Sequence, residues 1–190
     1  FMKNLIYIFL LTAIFSCTKK EQKALPKIYN IKEFNLVNQE GQQFSSKKMK
    51  DSVWIVHFIF TRCQGPCPVL IKTMGKLQKE LQSYPQIKFL SLSADPKRDT
   101  PADLKKYALK QKADFKRWTF LTGKIAEVIR TTEKEFKIPA DKDNPDAHST
   151  RFVLVDDNLN IRGFYNGLEV KSMKKLIKEA KNLAKDMPLS

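Results

Sequence analysis

Only two histidines and three cysteines occur among the 190 residues. Three cysteines are too few for a disulfide scaffold, and the odd number demands at least two separate explanations. Stability must therefore rest on an apolar core, which a chain of this length can bury. Six glycines and nine prolines exclude collagen-like and low-complexity material. No apolar run reaches the ~20 residues that a membrane-spanning helix needs. Negative charge is also scarce: 20 Asp and Glu stand against 35 Lys and Arg, a net charge of +15. Such an excess invites a nucleic-acid reading. What the chain does have is 42% hydrophobic residues and 13 Phe, which excludes a disordered chain. The length suits one ordinary domain with a short appendage.

The appendage is read at the start. After Lys3 the stretch Leu5 to Phe15 is almost wholly apolar. It is too short to span a bilayer and fits the apolar region of an export signal, with Lys3 as its basic flank. The run ends Ser16-Cys17 and turns polar at once with Thr18-Lys19-Lys20. A small residue before a cysteine resembles a bacterial lipoprotein signal, in which Cys17 would be lipidated after cleavage; an ordinary signal peptide with an incidental cysteine is the competing reading. The expected division is a signal over 1–16, a lipid-attached polar tether over 17–30 and one domain over 31–190. Loss of Lys3 leaves 34 basic and 20 acidic side chains, net +14. An exported protein does not meet chromosomal DNA, so no nucleic-acid partner is expected. The charge is left to solvation, an acidic partner or anionic headgroups.

Beyond residue 30 the hydrophobic pattern alternates between strand and helix. Phe34 to Phe44 reads as a hairpin around an Asn/Gly turn. Val53 to Phe60 and Ile87 to Ser93 read as strands buried on both faces. Leu70, Met74, Leu77 and Leu81 recur at helical steps. Thr100, Pro101 and Asp103 open a second helix by capping, fixed φ and favourable charge, while Asp95 and Asp99 follow a strand end, where they could approach the cysteines, and read mainly as turn and cap residues. Trp118 to Leu121 is strand-like. Lys124 to Phe136 is expected as a helix with Ile125, Val128 and Ile129 on one side. Arg151 to Val155 and Ile161 to Tyr165 flank the turn Asp156-Asp157-Asn158. Lys171 to Lys185 is amphipathic, with Met173 and Leu176 inward. Met74 and Met173 fall at core spacing and are assigned to packing. This order predicts an α/β, thioredoxin-like fold: a mixed sheet flanked by helices, with an N-terminal β-hairpin extension.

Cys63 and Cys67 lie in Thr61-Arg62-Cys63-Gln64-Gly65-Pro66-Cys67-Pro68, between the first buried strand and its helix. At a helix N-terminus the exposed amides and the dipole favour thiolate over thiol. Four-residue spacing puts both side chains on one side of a turn. The pair could close a disulfide or hold a soft ion, and two thiolates suit Cu(I) better than zinc. Two unrelated structural thiols remain the bland alternative.

A third ligand must come from two histidines. His57 lies inside the apolar run and reads as a hydrogen-bonded core residue. His148 lies in a polar loop, Asn144 to Thr150, just before Arg151. In a thioredoxin-type sheet the loop entering that strand passes the first cysteine. Thioredoxins carry a proline there, and Ala147-His148-Ser149-Thr150 has none. A three-coordinate S,S,N copper site is one reading of His148, and a surface loop histidine is the other.

Together these pieces resemble the Sco/SenC family of thioredoxin-fold proteins. The carrying stretches are Phe58-Ile59-Phe60-Thr61-Arg62-Cys63 through Cys67-Pro68, Ser93-Ala94-Asp95-Pro96-Lys97-Arg98-Asp99-Thr100-Pro101, Phe120-Leu121-Thr122-Gly123, and His148-Ser149-Thr150-Arg151-Phe152-Val153-Leu154-Val155-Asp156. The resemblance implies one copper ion per chain, Cu(I) or Cu(II), held by Cys63, Cys67 and His148. It implies a metallochaperone more than an enzyme, one that delivers copper to, or reduces the cysteines of, its acceptor's copper site. The partner implied is a copper-accepting protein, the copper site of cytochrome c oxidase subunit II, and the location the periplasmic side of a bacterial envelope membrane. The Gly65-Pro66 pair, where the family usually shows an acidic residue, keeps a second reading open: a thiol–disulfide oxidoreductase using Cys63 and Cys67.

Overall fold

The computed structural model describes residues 24–63, 65–140, 149–185 and 187. Eight strands follow in chain order: β1 Tyr29–Asn30, β2 Asn35–Asn38, β3 Gln43–Ser45, β4 Val53–Ile59, β5 Ile87–Ser93, β6 Trp118–Thr122, β7 Arg151–Val155 and β8 Asn160–Asn166. Four helices intervene: α1 Cys67–Glu80, α2 Pro101–Lys110, α3 Ile125–Arg130 and α4 Val170–Lys185. The strands form one sheet in the order β1-β8-β7-β4-β5-β6-β2-β3. Its centre is parallel, Ile55 lying opposite Phe89 and Ser91 opposite Phe120, while β7 and β8 run antiparallel to it. Among the described residues no helix is long and apolar enough to cross a membrane.

The apolar runs become central strands because every residue of β4 is buried, as a strand covered on both faces requires. Alternation then sorts the side chains. Ile55, Ile59 and Phe89 face one core, shared with Leu70 and Met74 of α1, Leu104 and Ala108 of α2, and Leu176 and Ala180 of α4. Trp54, Val56, Phe58 and Leu90 face a second core with Phe34, Leu36, Val128 and Phe136. One face of the sheet thus carries α4, α1 and α2 side by side. The other carries α3 and the stretch from Ile31 to Met49. Among the described residues, both cores and every strand lie within residues 25–187.

The expected hairpin forms between β2 and β3 and joins the sheet edge through β6. Its turn needs a left-handed residue, supplied by Gly41 at φ 75°. Thr100 caps α2 through a full capping box with Asp103, and Pro101 occupies the first turn. The chain before residue 31 also takes part in the fold. Leu25 packs on the first core, and Ile28 donates its amide to Ile161 O at 2.8 Å, leading into β1.

One helix differs from expectation. Ile125 is 41% exposed and of the predicted stripe only Val128 is buried. After Arg130 the helix widens into a π turn over Thr131–Glu135. The wider turn brings Thr131, Thr132, Glu135 and Phe136 inward instead. Glu135 is held there by Arg130 Nη1 at 3.1 Å and by the Lys32 amide at 2.7 Å.

Candidate thiol centre

β4 ends at Ile59, and the chain turns over Phe60 to Cys63, the Cys63 amide donating to Phe60 O at 3.3 Å. Pro66 occupies the N-cap of α1 without a capping side chain, Cys67 opens the helix and Pro68 fixes its first turn. Both cysteines are thiols, Cys63 half-buried and Cys67 fully buried. They touch: a Cys67–Cys63 hydrogen bond joins the two side chains.

Burial and that hydrogen bond push the Cys67 thiol far above the ordinary thiol range, against an opposing backbone contact from Phe60. This corrects the expectation that the helix N-terminus would favour thiolate at both positions. The dipole contributes a fraction of a charge at the helix end, and at Cys67 desolvation outweighs it. In the reduced protein Cys67 is therefore a protonated partner beside a more accessible Cys63. Metal binding or oxidation must displace its proton.

The loop rests on a buried carboxylate. Asp99 is 1% exposed. Thr61 donates its hydroxyl to Asp99 Oδ1 at 2.7 Å and its amide at 3.2 Å, and Ser93 donates its hydroxyl to Oδ2 at 2.7 Å. Asp99 thereby ties the turn two residues before Cys63 to the end of β5. Burial raises its pKa above the ordinary carboxylate value, against the lowering effect of the Thr61 and Ser93 hydrogen bonds. Asp95 folds back on the same turn, its amide donating to Ser93 Oγ at 3.0 Å and its carboxylate pairing with Arg98. Tyr107 of α2 lies in the same electrostatic environment: burial, then the charges of Cys67, Cys63 and Asp99, push its phenol upward. In the sequence Asp99 stands at a strand end within reach of the site but reads mainly as a turn residue, and Tyr107 reads only as a helix residue. The available signal was Ser93 and Asp99 flanking one short turn at the end of a buried strand.

Cys17 and His148 lie outside the described residues. Among the described residues no group of three or more His, Cys, Asp or Glu is gathered to hold a metal. The topology does bring Thr150, the residue before β7, to the thiol edge. β7 runs antiparallel to β4, with Val56 opposite Val153, so its first residue, Arg151, lies toward the end of β4 that leads to Cys63. Thr150 is anchored there, its carbonyl accepting from the Gly167 amide at 2.9 Å. A Cβ on Gly167 would stand 2.5 Å from Leu70 of α1 and from Phe152, so only glycine lets the β8–α4 loop approach so closely. His57 is not at this edge. It is fully buried in mid-sheet, its Nε2 hydrogen-bonded to Ser91 Oγ at 2.6 Å, as its position in an apolar strand implied.

A sheet with parallel β4, β5 and β6, and two thiols at the start of the helix after β4, defines a thioredoxin-like thiol protein. The SCO1/SenC family model matches residues 22–185, and the chain belongs to that family. A SCO1/SenC family lipoprotein from Bacillus anthracis superposes with a TM-score of 0.78 at 33% identity, covering 85% of this chain and 99% of that one. BsSco, a member of the Sco family of cytochrome c oxidase assembly proteins with a disulfide switch, gives 0.77 at 32% identity, covering 87% and 99%. Yeast Sco1, solved with copper bound, gives 0.64 at 25% identity, covering 80% and 88%. The family thus takes in copper-binding members and members that serve oxidase assembly.

Proposed function

We propose that this chain is a copper-binding metallochaperone of the bacterial envelope. Cys63 and Cys67 would hold one copper ion together with His148, with copper as the cargo to be passed on. The observation that carries this reading is the contact between the two thiols at the start of α1. Two adjacent soft donors, one of them accessible, suit Cu(I), which accepts low coordination. The acceptor would be the copper site of cytochrome c oxidase subunit II, by analogy with BsSco. Signal cleavage before Cys17 and lipidation there would anchor the domain on the periplasmic side, in keeping with the lipoprotein relative. Anaerobic Cu(I) titration tests the site. We expect one ion per wild-type chain, and at least tenfold weaker retention in Cys63→Ser, Cys67→Ser and His148→Ala. Unchanged retention in His148→Ala would remove that residue from the site.

The same contact favours a second reading, thiol–disulfide exchange. Cys63 Sγ as thiolate would attack one sulfur of a partner disulfide, expelling the other as a thiolate that takes a proton. Cys67, giving up its proton, would then attack Cys63 Sγ and release the second partner thiol. The products are a Cys63–Cys67 disulfide and a reduced partner, two electrons having passed to it. Turnover of a protein disulfide in the presence of a copper chelator, lost in Cys63→Ser, separates this reading from copper transfer.

A further inference from the structure

The positive charge of this chain is not spread evenly over its surface. α1, α2 and α4 lie side by side on one face of the sheet and carry twelve lysines against three carboxylates, Glu80, Asp103 and Glu179. Eleven of the twelve are exposed and Lys181 is half-buried. Among the described residues, three of these lysines pair with a carboxylate: Lys105 with Glu40, Lys175 with Glu179 and Lys181 with Glu80. The opposite face carries a much smaller excess. Over residues 27–51 and 124–137, nine Lys and Arg stand against six Asp and Glu.

Two further observations belong to the lysine-rich face. Four large apolar side chains are more than half exposed on it: Val69 of α1, Leu109 of α2, and Leu168 and Val170 at the start of α4. Exposed apolar side chains set among lysines are what an interfacial surface presents to headgroups. The N-terminal segment also enters from this side. Leu25 packs on the core beneath these helices, and the Arg162 guanidinium holds the Leu25 and Pro26 carbonyls. If Cys17 is lipidated, the seven residues 18–24 reach at most about 25 Å from the bilayer. That tether keeps the helical face close to the membrane.

We infer that the α4–α1–α2 face docks on an anionic lipid surface. Lysine ammonium groups would meet headgroup phosphates, and Val69, Leu109, Leu168 and Val170 would enter the interface. This orientation rests on the proposed anchor only for its biological setting, because the surface itself requires no lipidation. The lysines are point charges spread over three helices, without the arginine forks that a specific protein or phosphate site uses. Docked in this way, the domain holds the Cys63 edge of the sheet at headgroup level, within reach of a membrane-embedded acceptor.

Vesicle sedimentation of residues 24–190, which carry no lipid, tests the surface separately from the anchor. With vesicles of phosphatidylcholine and 30% phosphatidylglycerol in ~0.1 M salt, we expect at least tenfold tighter binding than with phosphatidylcholine alone, lost in ~0.5 M salt. The triple reversal Lys171→Glu, Lys174→Glu and Lys178→Glu should weaken binding at least tenfold. Lys48→Glu, Lys124→Glu and Lys134→Glu, with the same net charge change on the other face, should weaken it less than threefold. Equal loss in both triple variants, or no preference for anionic vesicles, overturns the proposal. Binding of soluble polyglutamate without binding of vesicles overturns it in favour of an acidic protein partner. Circular dichroism checks that both variants are folded. A Cys17→Ser chain that leaves the membrane fraction in cells bears on the anchor alone, and vesicle preference without such a change leaves the docking face standing.

Discussion

Two polar clusters are buried across the same pair of strands, two residues apart on β5, and they serve different ends. In mid-sheet, Ser91 accepts from Trp118 Nε1 at 2.8 Å and shares a hydrogen bond with His57, whose ring lies 5.1 Å from that of Phe152. At the strand end, Ser93 and Thr61 both donate to Asp99. The first cluster is enclosed by aromatic rings and secures the sheet. The second lies beneath a turn that presents thiols. Register explains the division: His57 pairs with Ser91 inside the ladder, whereas Ile59, opposite Ser93, is the last residue of β4. Past that point no ladder supports the chain, and a carboxylate does so instead.

Substitution of the inner cluster should give the largest stability effect. His57→Ala leaves a void and deprives Ser91 of one of its two partners, a loss of about 2–4 kcal/mol in urea unfolding. Copper retention and the rate of Cys63 alkylation should stay at wild-type values. Asp99→Ala reverses the pattern. Its stability cost of about 1–3 kcal/mol for stranded Thr61 and Ser93 groups should come with a Cys63 alkylation rate altered about tenfold, the kinetic equivalent of one hydrogen bond of ~1.4 kcal/mol. A His57→Ala protein with altered thiol reactivity, or an Asp99→Ala protein without it, would erase the distinction. Ser91→Ala and Ser93→Ala make a finer pair. Each should cost about 1 kcal/mol, but only Ser93→Ala should alter alkylation.

The smallest effect is in pH dependence. Burial holds Asp99 above the ordinary carboxylate value, so the folded protein binds this proton more tightly than the unfolded chain. The stability so gained is fully present below the unfolded value of about 3.9 and is lost as pH rises through the raised folded value. Wild-type stability should therefore fall across that window relative to Asp99→Asn. An identical pH profile in both proteins would show that the Thr61 and Ser93 hydrogen bonds cancel the effect of burial, and a reversed one that they outweigh it.

Elements with strong local signals were legible in the residues alone. The run Val53 to Phe60 is a central strand, Leu70, Met74 and Leu77 line α1, and Thr100 caps α2, each because a period or a cap is encoded within a few neighbours. The π turn at Thr131 was not legible, since Thr131 and Glu135 turn inward only against Lys32 and the second core. Asp99 was likewise read as a turn residue, because its partner Thr61 lies 38 positions away. The two cysteines were legible as a pair by spacing, but their protonation was not.

The sequence by itself determined the strand and helix order, the thiol pair and the basic excess, because these depend on residue identity and short-range periodicity. Tertiary structure decided which charges share a face, which carboxylate supports the cysteine turn and which thiol keeps its proton. Those properties depend on desolvation and on contacts between distant segments, and both exist only once the sheet has brought β4, β5 and their helices together.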